Sequence, residues 1–317
     1  MMRFFAPASV AALVVLAVSS YCLQDQAICY YFTRSRNQLF ASKTHIAIEW
    51  LHTPSAIEWL HIPKTGTSFG NTLLLWACPD LDKKKLWMNP KSGPGAVPES
   101  CKANFFRQPG HPPGWYIGSH ATLQNRTDEQ IRRVFTFVRS PKTRIASGYH
   151  FLISDVWKQV SNNATEVDIC SFARNSTFAT IALGTQVKMI AGEPTVPETR
   201  FLLGRSQWEF TNTKPATIEV IDRACTRLNS FAFVGITEFW TASICLFHKK
   251  FGGDASPVEQ VNVHRGTYYN NGGIQKVDCG DNADEALFDC ALARFISELR
   301  PFPDCMKHLS AKLAVLL

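Results

Sequence analysis

Apolar positions along the chain alternate between the spacing of strands and the spacing of helices. Three short runs are rich in β-branched and aromatic residues and predict strands: Ile57–Ile62, Arg133–Val138 and Phe231–Gly235. Apolar residues at helical spacing follow each run and predict helices over Phe69–Cys78, Pro141 to about Ile153, and Thr237 or Glu238 to about Phe251. Strands that alternate with helices favour a parallel sheet covered on both faces. We therefore predict a three-layer α/β fold, with a parallel sheet and flanking helices.

The same pattern divides the chain into three parts. The strand and helix signals place one folded domain at residues 56–317, and the weakly patterned residues 25–55 predict a stem or linker. Residues 1–24 contain an uncharged apolar stretch from Phe4 to about Leu23, which is long enough to cross a bilayer and also resembles a secretory signal. Ala17-Val18-Ser19 is compatible with cleavage, so a signal peptide and a signal anchor both remain open. Either one directs the domain into the secretory lumen.

A hexapeptide, Ala-Ile-Glu-Trp-Leu-His, occurs twice, at Ala47–His52 and at Ala56–His61. The first copy runs into Thr53-Pro54-Ser55, whereas the second runs directly into a segment with a lysine and a glycine. We expect the second copy to form the first strand of the core. The first copy is expected in the stem or at a sheet edge, because Pro54 prevents one continuous strand.

Composition supports a single domain in the secretory pathway with an anionic ligand. The chain has 317 residues, 45% of them hydrophobic, which is enough for one sizeable core. Its formal net charge of +7 is not concentrated in a long basic tract, so an anionic ligand is favoured over nucleic acid. Three glycosylation sequons, at Asn125, Asn163 and Asn175, agree with a lumenal location.

Of the ten cysteines, Cys22 and Cys29 lie near the N-terminal apolar stretch, and the eight in the rest of the chain predict disulfide bonds. None of them forms the close CxxC pairs that zinc sites use, and disulfides form readily in the secretory lumen. We expect one bridge between Cys78 and Cys101, which bracket a loop rich in proline and glycine. A second bridge is expected among Cys279, Cys290 and Cys305, although individual buried thiols remain open.

The loop after the second hexapeptide copy has the residue types of an anion site. It is formed by Lys64, Thr65, Gly66, Thr67 and Ser68, and it precedes a predicted helix. Backbone N–H groups and the helix dipole attract anions at such a position. Glycine permits close approach of the backbone, the lysine adds a full charge, and the hydroxyls add donors. The segment is not a Walker A motif, and an ordinary turn before a capped helix remains the alternative.

A second candidate group follows the next predicted strand. Arg139 stands at the carboxyl end of that strand, and Ser147 lies about two turns into the following helix. Ligands of open α/β sheets bind at the carboxyl ends of strands, and a guanidinium group can hold a phosphate through two hydrogen bonds. Pairing of the arginine with a nearby carboxylate is the alternative.

Together the two segments resemble a known family. HIPKTGTSF, residues 61–69, resembles the 5′-phosphosulfate loop of Golgi carbohydrate sulfotransferases, particularly the heparan sulfate 2-O- and 6-O-sulfotransferase group. FVRSPKTRIASGYHF, residues 137–151, resembles the 3′-phosphate motif of that group, R-D-P-x-x-R-x-x-S. Arg139, Pro141, Arg144 and Ser147 match this motif, whereas Ser140 replaces its aspartate. Looser similarity extends the resemblance over roughly residues 57–251.

The resemblance implies a P-loop NTPase-like sulfotransferase fold and a reaction. The enzyme would transfer a sulfonate group from 3′-phosphoadenosine 5′-phosphosulfate to a carbohydrate hydroxyl, without a metal, in the Golgi lumen. Its implied catalytic residues are His120, as the base, and Lys64. Its implied cofactor-binding residues are Lys64, Thr65, Gly66, Thr67, Ser68, Arg139, Ser147 and Arg265.

The implied partners are a glycan acceptor and, through the N-terminal segment, a Golgi membrane. The protein would be secreted if the signal were cleaved, and no nucleic acid is expected. Two other functions remain open. A kinase or NTPase would use the same loop but requires a Walker lysine and a magnesium carboxylate after a strand. A non-catalytic glycan-binding protein would share the scaffold but would not transfer sulfonate.

Overall fold

The computed structural model describes residues 58–78, 80–84, 86–87, 122–156, 165–197, 208–211, 214–262 and 276–316. The predicted signal segment, the stem and the first hexapeptide copy lie outside these residues. The strands are β1 (Glu58–Leu60), β2 (Val134–Val138), β3 (Thr195–Pro197), β4 (Trp208–Phe210) and β5 (Phe233–Ile236). The helices are α1 (Phe69–Ala77), α2 (Asp128–Ile131), α3 (Pro141–Val156), α4 (Glu166–Asn175), α5 (Thr185–Ala191), α6 (Ile218–Ser230), α7 (Trp240–Phe251), α8 (Asn282–Leu299) and α9 (Pro303–Leu316).

The central feature is a parallel sheet with the strand order β1-β2-β5. Leu60 lies opposite Thr136, and Val138 lies opposite Ile236, with all pairs parallel. Every residue of β2 is buried, and successive residues of a strand point to opposite faces. Both faces of the sheet are therefore covered, and the predicted α/β fold with a parallel sheet and flanking helices is confirmed. β3 and β4 form a separate antiparallel pair.

The second hexapeptide copy supplies the first strand of this sheet. Glu58–Leu60 form β1, which is shorter than the predicted run, and His61 begins the loop that follows. The predicted helices after β1, β2 and β5 are present as α1, α3 and α7. A single 3-10 turn, Thr237–Phe239, precedes α7.

Aromatic side chains fill the core on one face of the sheet. Phe69 of α1 lies with its ring centroid 4.6 Å from that of Phe137 and 5.5 Å from those of Phe233 and Phe247. Phe135, two residues from Phe137 and therefore on the same face of β2, packs 5.0 Å from Phe251. Burial of each such side chain contributes roughly 1.5–3 kcal/mol. This cluster fixes α1, and with it the loop that leads into the helix.

Three disulfides between described residues connect the C-terminal segment, residues 276–316, to the rest of the domain. They join Cys170 to Cys279, Cys225 to Cys290 and Cys245 to Cys305. The expected bridge among the last three cysteines is therefore wrong, because each of them bonds to an earlier cysteine.

The reason for this error is the helical geometry. Cys290 lies about 12 Å from the start of α8 and about 13 Å before its end, at a rise of 1.5 Å per residue. Cys305 lies in the first turn of α9. Bridged cysteines need Cα atoms within about 7 Å, and the three cysteines reach partners on α4, α6 and α7 with Cα atoms 5.0, 6.0 and 5.5 Å apart. Cys78 is also disulfide-bonded, but its predicted partner Cys101 lies outside the described residues.

Two further expectations concern the surface and the membrane. Asn125 and Asn175 of the predicted sequons are exposed, and Asn163 lies outside the described residues. Within the described ranges, no helix combines the length and the apolar character needed to cross a bilayer.

Candidate functional site

The carboxyl ends of β1, β2 and β5 meet at one edge of the sheet because the three strands are parallel neighbours. The hydroxyl of Thr237, directly after β5, bonds to the backbone of both other segments. It donates to the carbonyl of Thr65, in the loop after β1, and lies 3.3 Å from the carbonyl of Val138, at the end of β2. The three segments therefore form one continuous polar site.

The loop after β1 contains a strained residue. Lys64 has φ +68°, in the left-handed region that a residue with a Cβ rarely adopts, at a cost of roughly 1–3 kcal/mol. The following turn is closed by Thr65, whose hydroxyl donates to the carbonyl of Ile62 at 2.9 Å. Such strain persists only where neighbouring contacts hold the backbone, and it occurs frequently at binding sites.

Two backbone donors of the loop are available to a ligand. The N–H groups of Gly66 and Thr67 donate to no acceptor among the described residues. Their carbonyls, in contrast, accept from Phe69 at 3.0 Å and from Gly70 at 3.1 Å as the chain enters α1. Two N–H groups at the entrance of a helix, beside a lysine, make an arrangement that attracts an anion.

Gly66 lies in close contact with Trp240. Its φ is +139°, and a Cβ at this position would stand 2.8 Å from Cζ3 of Trp240. The indole has little freedom to move, because its Nε1 donates to the carbonyl of Glu259 at 2.8 Å and its ring packs 4.8 Å from that of Phe137. The loop therefore requires glycine here.

We predict that Gly66→Ala lowers the free energy of unfolding by about 1–3 kcal/mol and weakens binding of an anionic ligand. Gly252→Ala is the matched control. Gly252 also has a positive φ, +79°, but nothing lies within 4 Å of its Cβ position. Thermal and urea denaturation of both variants measures the difference. Equal losses in the two variants would show that the contact with Trp240 is unimportant.

Arg139 connects β2 directly to the loop after β1. Its Nη1 donates to the carbonyl of Lys64 at 2.9 Å, and its Nε donates to the hydroxyl of Thr143 at 3.0 Å. Its backbone is held by the side-chain amide of Gln186, which accepts from the Arg139 N–H at 2.9 Å and donates to the Arg139 carbonyl at 2.8 Å. The guanidinium group therefore supports the carbonyl of the strained residue, and the two predicted site segments are in contact.

Ser147 lies between two residues that contact the site. Residues four apart share one side of a helix, so Thr143, Ser147 and Phe151 line the same side of α3. Thr143 accepts from Arg139, and Nζ of Lys64 lies 4.2 Å from the ring centroid of Phe151, a cation–π contact. The hydroxyl of Ser147 is half-buried and bonds to no described residue. It is therefore available to a ligand bound beside Lys64.

Arg144 matches the sequence motif but lies away from this site. Its side chain is completely buried, and it donates to the carbonyls of Thr180 at 3.3 Å and Ala182 at 2.8 Å. It also lies 3.5 Å from the carboxylate of Asp284 and 3.9 Å from that of Asp281. The motif position is therefore occupied by an arginine that joins α3 to α8.

Two predicted site residues, His120 and Arg265, lie outside the described residues. Of the other histidines near the motifs, His61 places its Nε2 3.1 Å from the hydroxyl of Thr67. His150 lies on α3, where burial lowers the pKa of its imidazole.

Several polar residues at the site were not predicted: Thr143, Gln186, Thr237, Glu238 and Trp240. The available signal was the position of Thr237 and Glu238, which directly follow a buried strand.

Comparisons with protein-family models, with curated proteins and with solved structures find no match to this chain.

Proposed function

We propose that the protein is a carbohydrate sulfotransferase that uses 3′-phosphoadenosine 5′-phosphosulfate as its donor, on a three-layer, P-loop NTPase-like sulfotransferase fold. The observation that supports this most is the direct contact between the two anion-type segments, where Arg139 donates to the carbonyl of Lys64 at 2.9 Å. A ligand with two separate phosphate groups matches two adjoining groups of donors. The resemblance of residues 61–69 and 137–151 supplies the identity of that ligand.

The proposed roles follow from the donors at each segment. The N–H groups of Gly66 and Thr67, with the hydroxyls of Thr67 and Ser68, would bind the 5′-phosphosulfate, and Thr65, whose hydroxyl donates to the carbonyl of Ile62, would hold the shape of the loop. The guanidinium of Arg139 and the hydroxyl of Ser147 would bind the 3′-phosphate, because a guanidinium fork matches phosphate oxygens. Arg265 would contact the nucleotide from a later loop.

The proposed reaction is an in-line displacement at sulfur. The acceptor hydroxyl oxygen forms a bond to sulfur while the bond between sulfur and the bridging oxygen of the 5′-phosphate breaks. The electron pair of that bond leaves with adenosine 3′,5′-bisphosphate, and the hydroxyl proton passes to neutral His120. Lys64 would stabilise the negative charge that develops on the leaving phosphate.

The proposed setting is the lumen of the Golgi, with a glycan as acceptor and the N-terminal segment at the membrane. Three disulfides in the described part of the chain support an oxidising compartment.

Ligand binding tests the donor site. Isothermal titration of the lumenal domain should show tighter binding of adenosine 3′,5′-bisphosphate than of ATP with magnesium, because Arg139 and Ser147 would contact a 3′-phosphate that ATP lacks. Tighter binding of ATP with magnesium, together with its hydrolysis, would contradict the proposal and favour an NTPase or kinase.

A further inference from the structure

We infer that Glu238 is a positioning residue that orients the guanidinium of Arg139, through the hydroxyl of Thr143, toward a 3′-phosphate. The inference rests on the proposed function and adds to it a residue that touches neither donor nor acceptor. Glu238 belongs to the 3-10 turn directly after β5, whereas Arg139 directly follows β2. The two residues are therefore brought together by the pairing of neighbouring strands.

Hydrogen bonds connect the carboxylate to the guanidinium in two steps. Oε1 of Glu238 accepts from the hydroxyl of Thr143 at 2.8 Å, and the same hydroxyl oxygen accepts from Nε of Arg139 at 3.0 Å. A threonine hydroxyl has one proton and two lone pairs, so it can donate to the carboxylate while it accepts from the guanidinium. Bonds that include an ionised group are stronger than neutral ones, and this relay has an ionised group at each end.

The carboxylate also fixes the direction of that relay. The hydroxyl of Thr143 lies 3.1 Å from the carbonyl of Ser140, which is a competing neutral acceptor. Oε1 of Glu238 additionally accepts from the N–H of Ser140 at 3.0 Å. One carboxylate oxygen therefore holds the first turn of α3 and the threonine hydroxyl together. Without it, the hydroxyl can turn to the Ser140 carbonyl, and the orientation of the Arg139 Nε–H is less strictly determined.

Glu238 also compensates for a departure of this sequence from the motif. The motif that residues 137–151 resemble has an aspartate where this chain has Ser140. In the structure the backbone of Ser140 is bonded to a carboxylate that comes from the end of β5 instead. The negative charge is thus supplied by another element at the same edge of the sheet.

Glu238 also has a direct electrostatic effect on the affinity for a 3′-phosphate, and this effect is opposite in sign to the positioning effect. A carboxylate near a phosphate site repels the ligand, so removal of its charge alone would strengthen binding of a 3′-phosphate. The positioning role predicts the reverse. The direction of the change therefore separates the two effects, whatever their absolute size.

The experiment compares two nucleotides in each variant by isothermal titration: adenosine 3′,5′-bisphosphate and adenosine 5′-monophosphate. The ratio of their dissociation constants isolates the contribution of the 3′-phosphate. We expect Glu238→Ala to reduce this selectivity about tenfold, because the variant loses a hydrogen bond to a charged group that orients the guanidinium. A general loss of order in the site would weaken the binding of both nucleotides equally and leave the ratio of their dissociation constants unchanged.

Further variants test the relay. Thr143→Val removes the hydroxyl and should reduce the selectivity for the bisphosphate as Glu238→Ala does. Thr143→Ser keeps the hydroxyl and should reduce the selectivity less. Adding Ser140→Asp to Glu238→Ala returns a carboxylate to the first turn of α3 and should restore part of the selectivity. Glu219→Ala is the matched control, because Glu219 is an exposed carboxylate of α6.

The outcomes distinguish the inference from the proposed function. A wild-type ratio near one would contradict the 3′-phosphate site itself, and with it the inference. A wild type that prefers the bisphosphate, with an unchanged or increased ratio in folded Glu238→Ala, would overturn the inference alone. If Glu238→Ala does not fold, Thr143→Val carries the same test.

Discussion

Replacing Arg139 by alanine is expected to reduce the affinity for adenosine 3′,5′-bisphosphate by at least about 100-fold. The variant loses the guanidinium that is proposed to bind the 3′-phosphate. It also loses the hydrogen bond to the carbonyl of Lys64, at 2.9 Å, which supports that residue in its left-handed conformation. Both proposed phosphate subsites are therefore affected by a single change.

Two sets of matched variants separate these contributions. Arg139→Lys keeps the charge but not the fork, so an intermediate loss is expected. Lys64→Ala and Lys64→Gly both remove the lysine charge, but only glycine relieves the strain at φ +68°. Comparable losses of nucleotide affinity in the two Lys64 variants would show that the lysine contributes through its charge. Undiminished affinity of Arg139→Ala, measured by calorimetry, would contradict the assignment of the donor site.

Replacing Arg144 by methionine is expected to lower the free energy of unfolding by about 3–5 kcal/mol, because it leaves buried carboxylates without their partner. Arg144, Asp281 and Asp284 are all buried, and the two carboxylates also accept from the backbone N–H groups of Gly184, Gln186 and Val187. This cluster joins α3, the start of α5 and the start of α8. Its loss should reduce stability far more than it reduces nucleotide affinity in molecules that remain folded.

The effect of Arg144→Met should depend on pH. Burial and the neighbouring Asp284 raise the pKa of the Asp281 carboxyl to about 7, although Arg144 opposes this shift. Without the arginine the pKa of Asp281 rises further. A carboxyl whose pKa is raised in the folded state destabilises the fold as pH rises from its ordinary pKa to the raised one. In the wild type this loss is complete just above pH 7, whereas in Arg144→Met it continues to higher pH. The loss of stability should therefore be larger at pH 8 than at pH 5.

Urea denaturation of wild type and Arg144→Met at both pH values measures this effect. Arg133→Met is a suitable control, since Arg133 pairs with Glu129 on the surface and such pairs contribute only about 0–1 kcal/mol. A stability loss for Arg144→Met no greater than that of the control would show that the buried cluster is not the source of stability described above.

The central sheet could be predicted from the sequence because its strands are buried on both faces. Such strands appear as continuous apolar runs, and β2 and β5 are fully buried over their lengths. The disulfide partners could not be predicted in this way. They depend on which helices pack together, and the bonded cysteines are separated by 60 to 109 residues.

The candidate site shows the same division. The loop after β1 and Arg139 were found because glycine, lysine and arginine directly follow strands. The residues that hold Arg139 in place could not be predicted, because Gln186 lies 47 residues from Arg139 and Glu238 lies 95 residues from Thr143 along the chain. No local pattern indicates contacts over such distances. They arise only when the parallel strands place their carboxyl ends side by side.

Sulfonate transfer by this domain can be measured directly with a labelled donor. The domain at residues 56–317 is incubated with 3′-phosphoadenosine 5′-phosphosulfate labelled at sulfur and with a panel of glycosaminoglycans and other glycans. His120→Ala serves as the control for the base. We expect labelled glycan with the wild type, and little label with His120→Ala despite retained nucleotide binding. Glycan binding by the wild type without any transfer of label across the panel would show that the protein is not a sulfotransferase.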